Sequence, residues 1–416
     1  MDICFHYFAV KTVARAAGYR EEQAQRIAAY SQLMDDYDWQ GYLRAENMPD
    51  YLKRAGSDVI YNETLKIVSP VATGFPSVLD MVELILPRAQ KLIVSPFHFI
   101  PRNERRVSNG DLRTVPAKLH DGSYISSMLD SLEEDMASNS IAESDALMKM
   151  GMLLHTFADT YAHQLFTGYN NKTNSVKLIS AKDNITQADA TKEYGYWVEQ
   201  WISQLEEDLG AEIPTIGHMS VVSIPDLSHL SFEMEYTDID GTKRVHARSN
   251  TDLFVAACRE LYTFMRTVLG ETAKAEIKWE ALAPLLAKGF LIDTVKDKAS
   301  GKDVVIRKLS DHWSGVFKNY GYTYDYSSKA VTDSFKLTVA DSIPAVNVLG
   351  ENDVAELGAD NLMLSGGEFS DDFYKFTLFA DEHLINLYGN HPRKLLAAGS
   401  PLPYDNTKTP NDNNTK

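Results

Sequence analysis

Apolar residues recur at helical spacing over most of the first two-thirds of the chain. Over 21–34, Ala24, Ile27, Ala28 and Leu33 predict an amphipathic helix that runs into Asp35-Asp36-Tyr37-Asp38-Trp39. Carboxylates at a helix C-terminus oppose the macrodipole, so this acidic cluster calls for another source of stabilisation. Pro70, Pro76, Pro87, Pro96 and Pro101 punctuate the next stretch and leave room for a short helix over 77–86. A further helix is predicted to begin at Ser123 or Ser126. The longest stripe, Leu147, Met150, Leu153, Leu154, Phe157, Tyr161 and Leu165, predicts a helix from 141 or 144 to 166, with Gly168 as its stop. Another amphipathic helix is expected over 188–209.

The period then changes to two. Phe232, Met234, Tyr236 and Ile239 alternate with polar residues and Asp240-Gly241 supplies a turn, so 232–248 reads as a β-hairpin. Helices resume over 251–269 and 274–287. From 296 to 350, β-branched residues and turns predict a small subdomain or a β-rich insertion. Phe373, Phe376, Leu378, Phe379, Leu384 and Leu387 predict a last helix over 371–388, and the polar stretch 401–416 reads as a disordered tail. The fold class is therefore mainly α. A helical core is expected over 1–235, and the hairpin, helices and mixed C-terminal region of 236–400 are expected to pack on it.

The 416 residues include 41 basic and 58 acidic side chains, a formal charge of −17. That balance argues against a nucleic-acid scaffold, whose affinity comes largely from cations that replace counterions along the phosphate backbone. With 44% hydrophobic and 24% charged residues, the bulk of the chain has the composition of a folded protein. No apolar run is long enough for a transmembrane helix. The start, Met1-Asp2-Ile3-Cys4, lacks the basic residues and apolar stretch of a secretory signal, so a cytoplasmic location is expected, with leaderless export as the alternative. Two cysteines, Cys4 and Cys258, are too few for a disulfide framework or a thiolate zinc site. Any metal site must then use histidines and carboxylates. Serine-hydrolase and P-loop motifs are absent.

His155-Thr156-Phe157-Ala158-Asp159-Thr160-Tyr161-Ala162-His163 fits that requirement. At about 100° per residue the two histidines and the aspartate project from one side of a helix. Leu153, Leu154, Phe157, Ala158 and Ala162 make the flanks apolar, and buried charge needs a partner. A carboxylate between two imidazoles suits an aspartate that bridges two cations; the competing reading is a surface pair four residues apart. His6 lies in an aromatic run, the Asp35-Asp36 pair follows an apolar helix face, and His98 sits between two phenylalanines within Pro96 to Pro101. His218 follows Ile216-Gly217, with Asp226 eight residues on. Each has a plain alternative as a packed core histidine or a solvated helix end. Together they describe a multinuclear site of nitrogen and oxygen ligands. Arg102-Asn103-Glu104-Arg105-Arg106, close after His98, is the one dense basic run and suits the grip of a single phosphate.

The order of these residues resembles the zinc-dependent phospholipase C and P1 nuclease superfamily. The blocks Asp2-Ile3-Cys4-Phe5-His6-Tyr7, Tyr30-Ser31-Gln32-Leu33-Met34-Asp35-Asp36, Phe97-His98-Phe99-Ile100-Pro101, His155 to His163 and Ile216-Gly217-His218 are more closely similar to an uncharacterised, mainly bacterial domain family. The resemblance implies a multi-helix phospholipase C/P1 nuclease-like core that holds two zinc ions, with three as the upper count. It implies that His155, His98 and Asp36 or Asp35 hold one ion, that Asp159 bridges to a second joined by His6, and that His163 and His218 bind another. Three departures stand out. The characterised enzymes use the amine and carbonyl of an N-terminal Trp, where this chain has Met1; His163 falls on the same helix as Asp159, where they place it later; and the nearest acid after His218 is Asp226, with no His-x-x-x-acid pair.

The implied reaction is hydrolysis of a phosphoric ester by a metal-activated water that Asp35 or Asp36 positions or deprotonates. The acidic composition favours a phospholipid headgroup over long nucleic acid. The alternatives are a metal-stabilised, non-catalytic interaction protein and a P1-like nuclease. Tyr7, Phe8, Tyr37, Trp39, Phe97 and Phe99 either line an apolar entrance or pack the core. The sequence leaves the oligomeric state open.

Overall fold

A computed structural model describes residues 1–39, 41–54, 61–62, 66–74, 86–210, 212–295, 297, 301–344 and 363–389. The protein is mainly helical and divides into two units.

The first unit joins Met1–Met34 to Val78–Tyr326. It is organised around the helix Glu143–Ala162, in which every residue from Met150 to Ala162 is buried. An apolar stripe alone does not predict this. The helix is covered on several sides, by Tyr124–Ala137, by Asn250–Leu269 and by the segment Gln90–His98. Asn250–Leu269 also packs on Val10–Ala17 and Trp279–Phe290. Side-chain caps fix two of these starts: Ser123 accepts from Ser126 N and Ser249 from Asp252 N.

Gly151 sets how closely the central helix crosses Glu21–Asp36. A Cβ at this position would lie 2.3 Å from Ile27 O, closer than two non-bonded atoms approach. Gly151→Ala must therefore push the helices apart, at a cost of roughly 1–3 kcal/mol. The expected result is a thermal midpoint lowered by several degrees; an unchanged midpoint would contradict this crossing.

The central helix ends at Ala162 rather than at 166. His163 leaves helical geometry as the C-cap, Leu165 takes a φ of 75°, and Leu165 and Phe166 pair through their backbones with Thr114. The expected hairpin is present as Leu230–Thr237 paired with Lys243–Ser249. A third antiparallel strand, Lys177–Asp183, joins it on the other edge. A register shift between Leu178 and Ser180 breaks that strand's two-residue period, which hides it from the hydrophobic pattern. Within 296–350 the described residues are not β-rich. Lys302–Val316 is a helix that buries Val305, Leu309 and Trp313.

The second unit joins Asp35–Ser77 to Ser327–Lys416. Five short strands form a sheet in the order Tyr61–Asn62, Ile67–Val68, Leu43–Ala45, Met363–Gly367, Ala340–Pro344. Tyr37, Trp39, Phe335, Phe373 and Phe376 form an aromatic cluster with the helix Asp371–Tyr388. These units are not the divisions 1–235 and 236–400, because the second unit is assembled from segments far apart in the chain and a cut at 235 would sever the strand Leu230–Thr237. The tail 401–416 and all but Leu86 of the short helix expected over 77–86 lie outside the described residues. No helix among the described residues is long and apolar enough to cross a membrane.

Candidate metal centre

Four of the expected site histidines are placed by backbone features with no signature in the hydrophobic pattern. His6 and His98 lie on wide π-helical segments, Cys4–Ala9 and Gln90–His98, which re-aim side chains relative to a regular helix. His163 is the C-cap of the central helix. His218 precedes the short turn Met219–Val221, and Asp226 closes a second such turn, Ile224–Asp226. Only His155 and Asp159 are regular helix positions. Asp35 and Asp36 form the last turn of Glu21–Asp36, where the chain passes into the second unit.

Within the first unit the structure brings His6, His98, His155, Asp159, His163, His218 and Asp226 together. Asp159 Oδ1 faces His6 Nε2 at 3.1 Å, and Oδ2 faces His98 Nδ1 at 3.2 Å and His155 Nε2 at 3.3 Å. The carboxylate thus serves a different histidine set with each oxygen. The rings of His6 and His155 stack with centroids 3.8 Å apart. Beside them, Asp226 Oδ1 lies 3.2 Å from His163 Nε2 and Oδ2 lies 3.2 Å from His218 Nε2. His6–His155–Asp159 and His163–His218–Asp226 are each able to hold a metal ion. The positively charged Met1 amine pairs with Asp159 and lies 3.3 Å from His163 Nε2 and 3.4 Å from Asp226 Oδ1. A cationic group is therefore already accommodated among these atoms.

Proton positions sharpen the chemistry. His163 Nδ1 lies 2.6 Å from His98 O and His218 Nδ1 lies 2.5 Å from Val222 O. A carbonyl only accepts, so both Nδ1 atoms carry the proton and donate. Burial lowers the His218 pKa to about 4, so near neutral pH this ring is uncharged and its Nε2 is a bare lone pair. That lone pair points at a carboxylate oxygen, and two acceptors 3.2 Å apart repel unless a cation lies between them. The pattern, one ring nitrogen tied to a carbonyl and the other free, is that of metal-ligating histidine. Val222 turns its carbonyl toward His218 by adopting a φ of 50°, a strained value for a β-branched residue.

His6 behaves alike. It is fully buried, and among the described residues its Nδ1 has no hydrogen-bond partner. Burial, with the neighbouring His155, lowers its pKa to about 4. Burial alone would raise the carboxyls of Asp159 and Asp226, but the surrounding groups outweigh it: His163, the Met1 amine, His155 and His6 at Asp159, and His218, the Met1 amine and His163 at Asp226. Both carboxyls stay well below the usual range and remain ionised. Uncharged imidazoles and ionised carboxylates, without a thiolate, are the donor set of zinc and similar divalent ions.

A pH dependence follows for the metal-free protein. An unfolded histidine takes up a proton below about pH 6.5, whereas His6 resists protonation until about pH 4. Between these values the unfolded chain holds more protons, so stability falls as pH drops through the window and levels off below it. Protein treated with a chelator is expected to lose roughly 3 kcal/mol from His6 between pH 7 and pH 4. Urea midpoints across that range check it; a midpoint that holds constant would contradict a neutral, buried His6.

Several further residues hold the centre in place, and of these Asn174 and Asn250 have no signature in the sequence. Phe99 stacks on His163 with ring centroids 4.3 Å apart and lies 5.7 Å from His218. Gly217 makes room for it, with a φ of 52° and a Cβ position only 2.5 Å from the Phe99 ring. Asn174 reaches the carbonyls of Thr167, Tyr169 and Thr215 at 2.9 Å each, and so ties the loop after the central helix to the one that carries His218. Buried Asn250 spans Ile224 O and Leu227 O on either side of Asp226. The Gly-His dipeptide was the one local signal among these. Of the aromatics expected at an entrance, Phe99 touches these ligands. Phe97 is buried, Tyr7 bonds Gln25 and Asp325, Phe8 packs on Trp313 and Tyr324, and Tyr37 and Trp39 belong to the second unit. In the basic run, Arg102 pairs with Asp121 at 3.0 Å and Arg106 pairs with Asp111.

A family model described as a family of unknown function (DUF6765) matches residues 1–387. No curated protein and no solved structure matches the chain.

Proposed function

The chain belongs to that family of unknown function, and from its own residues we propose that it is a zinc-dependent phosphoric-ester hydrolase, phospholipase C-like in the order of its ligands. The observation that carries this reading is the convergence of histidine nitrogens, those of His6 and His218 uncharged, on the two ionised carboxylates, Asp159 and Asp226. His6, His98, His155 and Asp159 are the ligands proposed for the buried side. His163, His218 and Asp226 are those for the other. A bound zinc ion supplies positive charge that polarises a phosphoryl oxygen and lowers the pKa of water.

The residues do the rest. Phe99 and the carbonyls of His98 and Val222 hold His163 and His218 in one orientation, so little reorganisation is needed when substrate arrives. His218, Asp226 and His98 keep 18%, 13% and 13% of their side chains exposed, against 0% for His155 and 1% for Asp159, so a substrate is proposed to reach the centre past these three. The arginine pairs with Asp121 and Asp111 and the net charge of −17 favour a lipid headgroup or small ester over long nucleic acid. One observation favours a second reading. The complete burial of His6 and His155 suits a closed, structural ion, as in a metal-stabilised interaction protein.

The test is hydrolysis of bis(p-nitrophenyl) phosphate, phospholipid vesicles and single-stranded DNA by the purified protein. It is run with zinc, and with chelator followed by zinc. Zinc-restored release from the chromogenic ester and the vesicles is expected, with little from DNA. Cleavage of DNA alone would favour the nuclease alternative, and bound zinc without hydrolysis the structural one.

A further inference from the structure

Arg248 sits at the end of the hairpin, outside every residue assigned to the centre above. Its side chain nevertheless reaches two of the backbone segments that carry ligands. Nη1 donates to Ala162 O at 2.7 Å and lies 3.2 Å from Tyr161 O, the last carbonyls of the central helix and the ones directly before His163. Nη2 donates to Pro225 O at 2.7 Å, the carbonyl directly before Asp226. Nε donates to Asn250 Oδ1 at 2.8 Å, and Asn250 grips the same turn through Ile224 O and Leu227 O. The guanidinium face rests on the Phe232 ring, 4.9 Å from its centroid.

Every polar contact here is to a neutral oxygen, and among the described residues no carboxylate lies within ion-pair distance of Arg248. An arginine placed for charge pairing would have one. The planar fork instead spans two strands of backbone at a fixed separation. One end closes the carbonyl-rich terminus of the central helix, where a cation is favoured. The other holds the turn whose next residue is Asp226.

We infer that Arg248 is a positioning residue that sets the distance between His163 and Asp226, and so tunes the affinity of the His163–His218–Asp226 group for a divalent cation. The inference rests on the proposal that this group binds metal. Lysine in its place keeps the charge but offers a single point donor, which reaches one carbonyl at a time and leaves the other arm loose. Outer contacts of this kind typically set metal affinity by roughly 10–100-fold.

The test uses Co²⁺ alone, titrated into metal-free full-length protein and followed by its visible absorption, with thermal midpoints recorded alongside. Wild type should show more than one class of cobalt site, and Asp226→Asn should lose one. Arg248→Lys should weaken that same class by roughly tenfold or more and shift its absorption band, and leave the class that depends on Asp159 unchanged. In the Asp226→Asn background Arg248→Lys should cause no further loss, because the group it positions is already gone. Arg248→Gln, which retains amide donors, serves if the lysine variant fails to fold. Wild-type affinity at both classes in the Arg248 variants would overturn the inference, as would an equal weakening of both that follows the fall in thermal midpoint. No cobalt uptake by wild type would overturn the metal proposal beneath it.

Discussion

Asp159→Asn is expected to strip the buried side of the centre of its metal and to abolish phosphodiester hydrolysis. The carboxylate presents one oxygen to His6 and the other to His98 and His155. An amide keeps the shape but loses the charge and turns one ligand atom into a donor. At least one of the two histidine sets is then left without its anionic partner. Loss of affinity of roughly 10²-fold or more is expected on that side, larger than the effect of outer contacts. Removal of one member of a buried charged cluster also destabilises by roughly 3–5 kcal/mol. Helix content by circular dichroism and the Asp159→Glu variant, which restores charge at a different reach, separate loss of site from loss of fold. Metal content and hydrolysis both at the wild-type level in Asp159→Asn would contradict the bridging role.

The second large effect is expected at the accessible side. His218→Asn and Asp226→Asn should each remove one bound ion and reduce hydrolysis to background while the buried group keeps its metal. The physical ground is the facing pair of acceptors, His218 Nε2 and Asp226 Oδ2 at 3.2 Å, which a cation turns from repulsive to attractive. In the metal-free protein His218→Asn should cost little stability, since it relieves that repulsion, whereas Asp226→Asn also gives up the pair with the Met1 amine 3.4 Å away and should lower the midpoint. Metal content, hydrolysis and the thermal midpoint of chelated protein read the three expectations together. A variant that retains full activity after losing the ion would place the chemistry elsewhere.

How much of this could be read beforehand depended on what kind of order each residue obeys. His155 and Asp159 were legible because a single helix and its 3.6-residue period bring them to one side, whereas His163 is placed by the cap at which that helix ends. His6 and His98 were legible as chemistry but not as geometry, since π-helical segments place them and no spacing rule marks those. The position of Asp226 depends on Asn250 and Arg248, more than 20 residues further on, so its pairing with His163 and His218 is a tertiary fact. The helix Lys302–Val316 is concealed in the sequence for a different reason. Val305, Leu309 and Trp313 recur every four residues, yet Val304, Val305 and Ile306 gave the stretch a β-branched look that outweighed the period. The second unit was hidden because its sheet pairs Leu43–Ala45 with Met363–Gly367, across more than 300 residues.

The central claim is that the carboxylates of Asp159 and Asp226 hold divalent metal with the histidines around them. Its most direct test is the zinc-to-protein ratio of the purified chain, loaded with zinc, freed of excess and measured by mass spectrometry of the metal. The predicted result is about two tightly held ions per chain, falling by about one in Asp226→Asn. A wild-type chain that retains no zinc would contradict it.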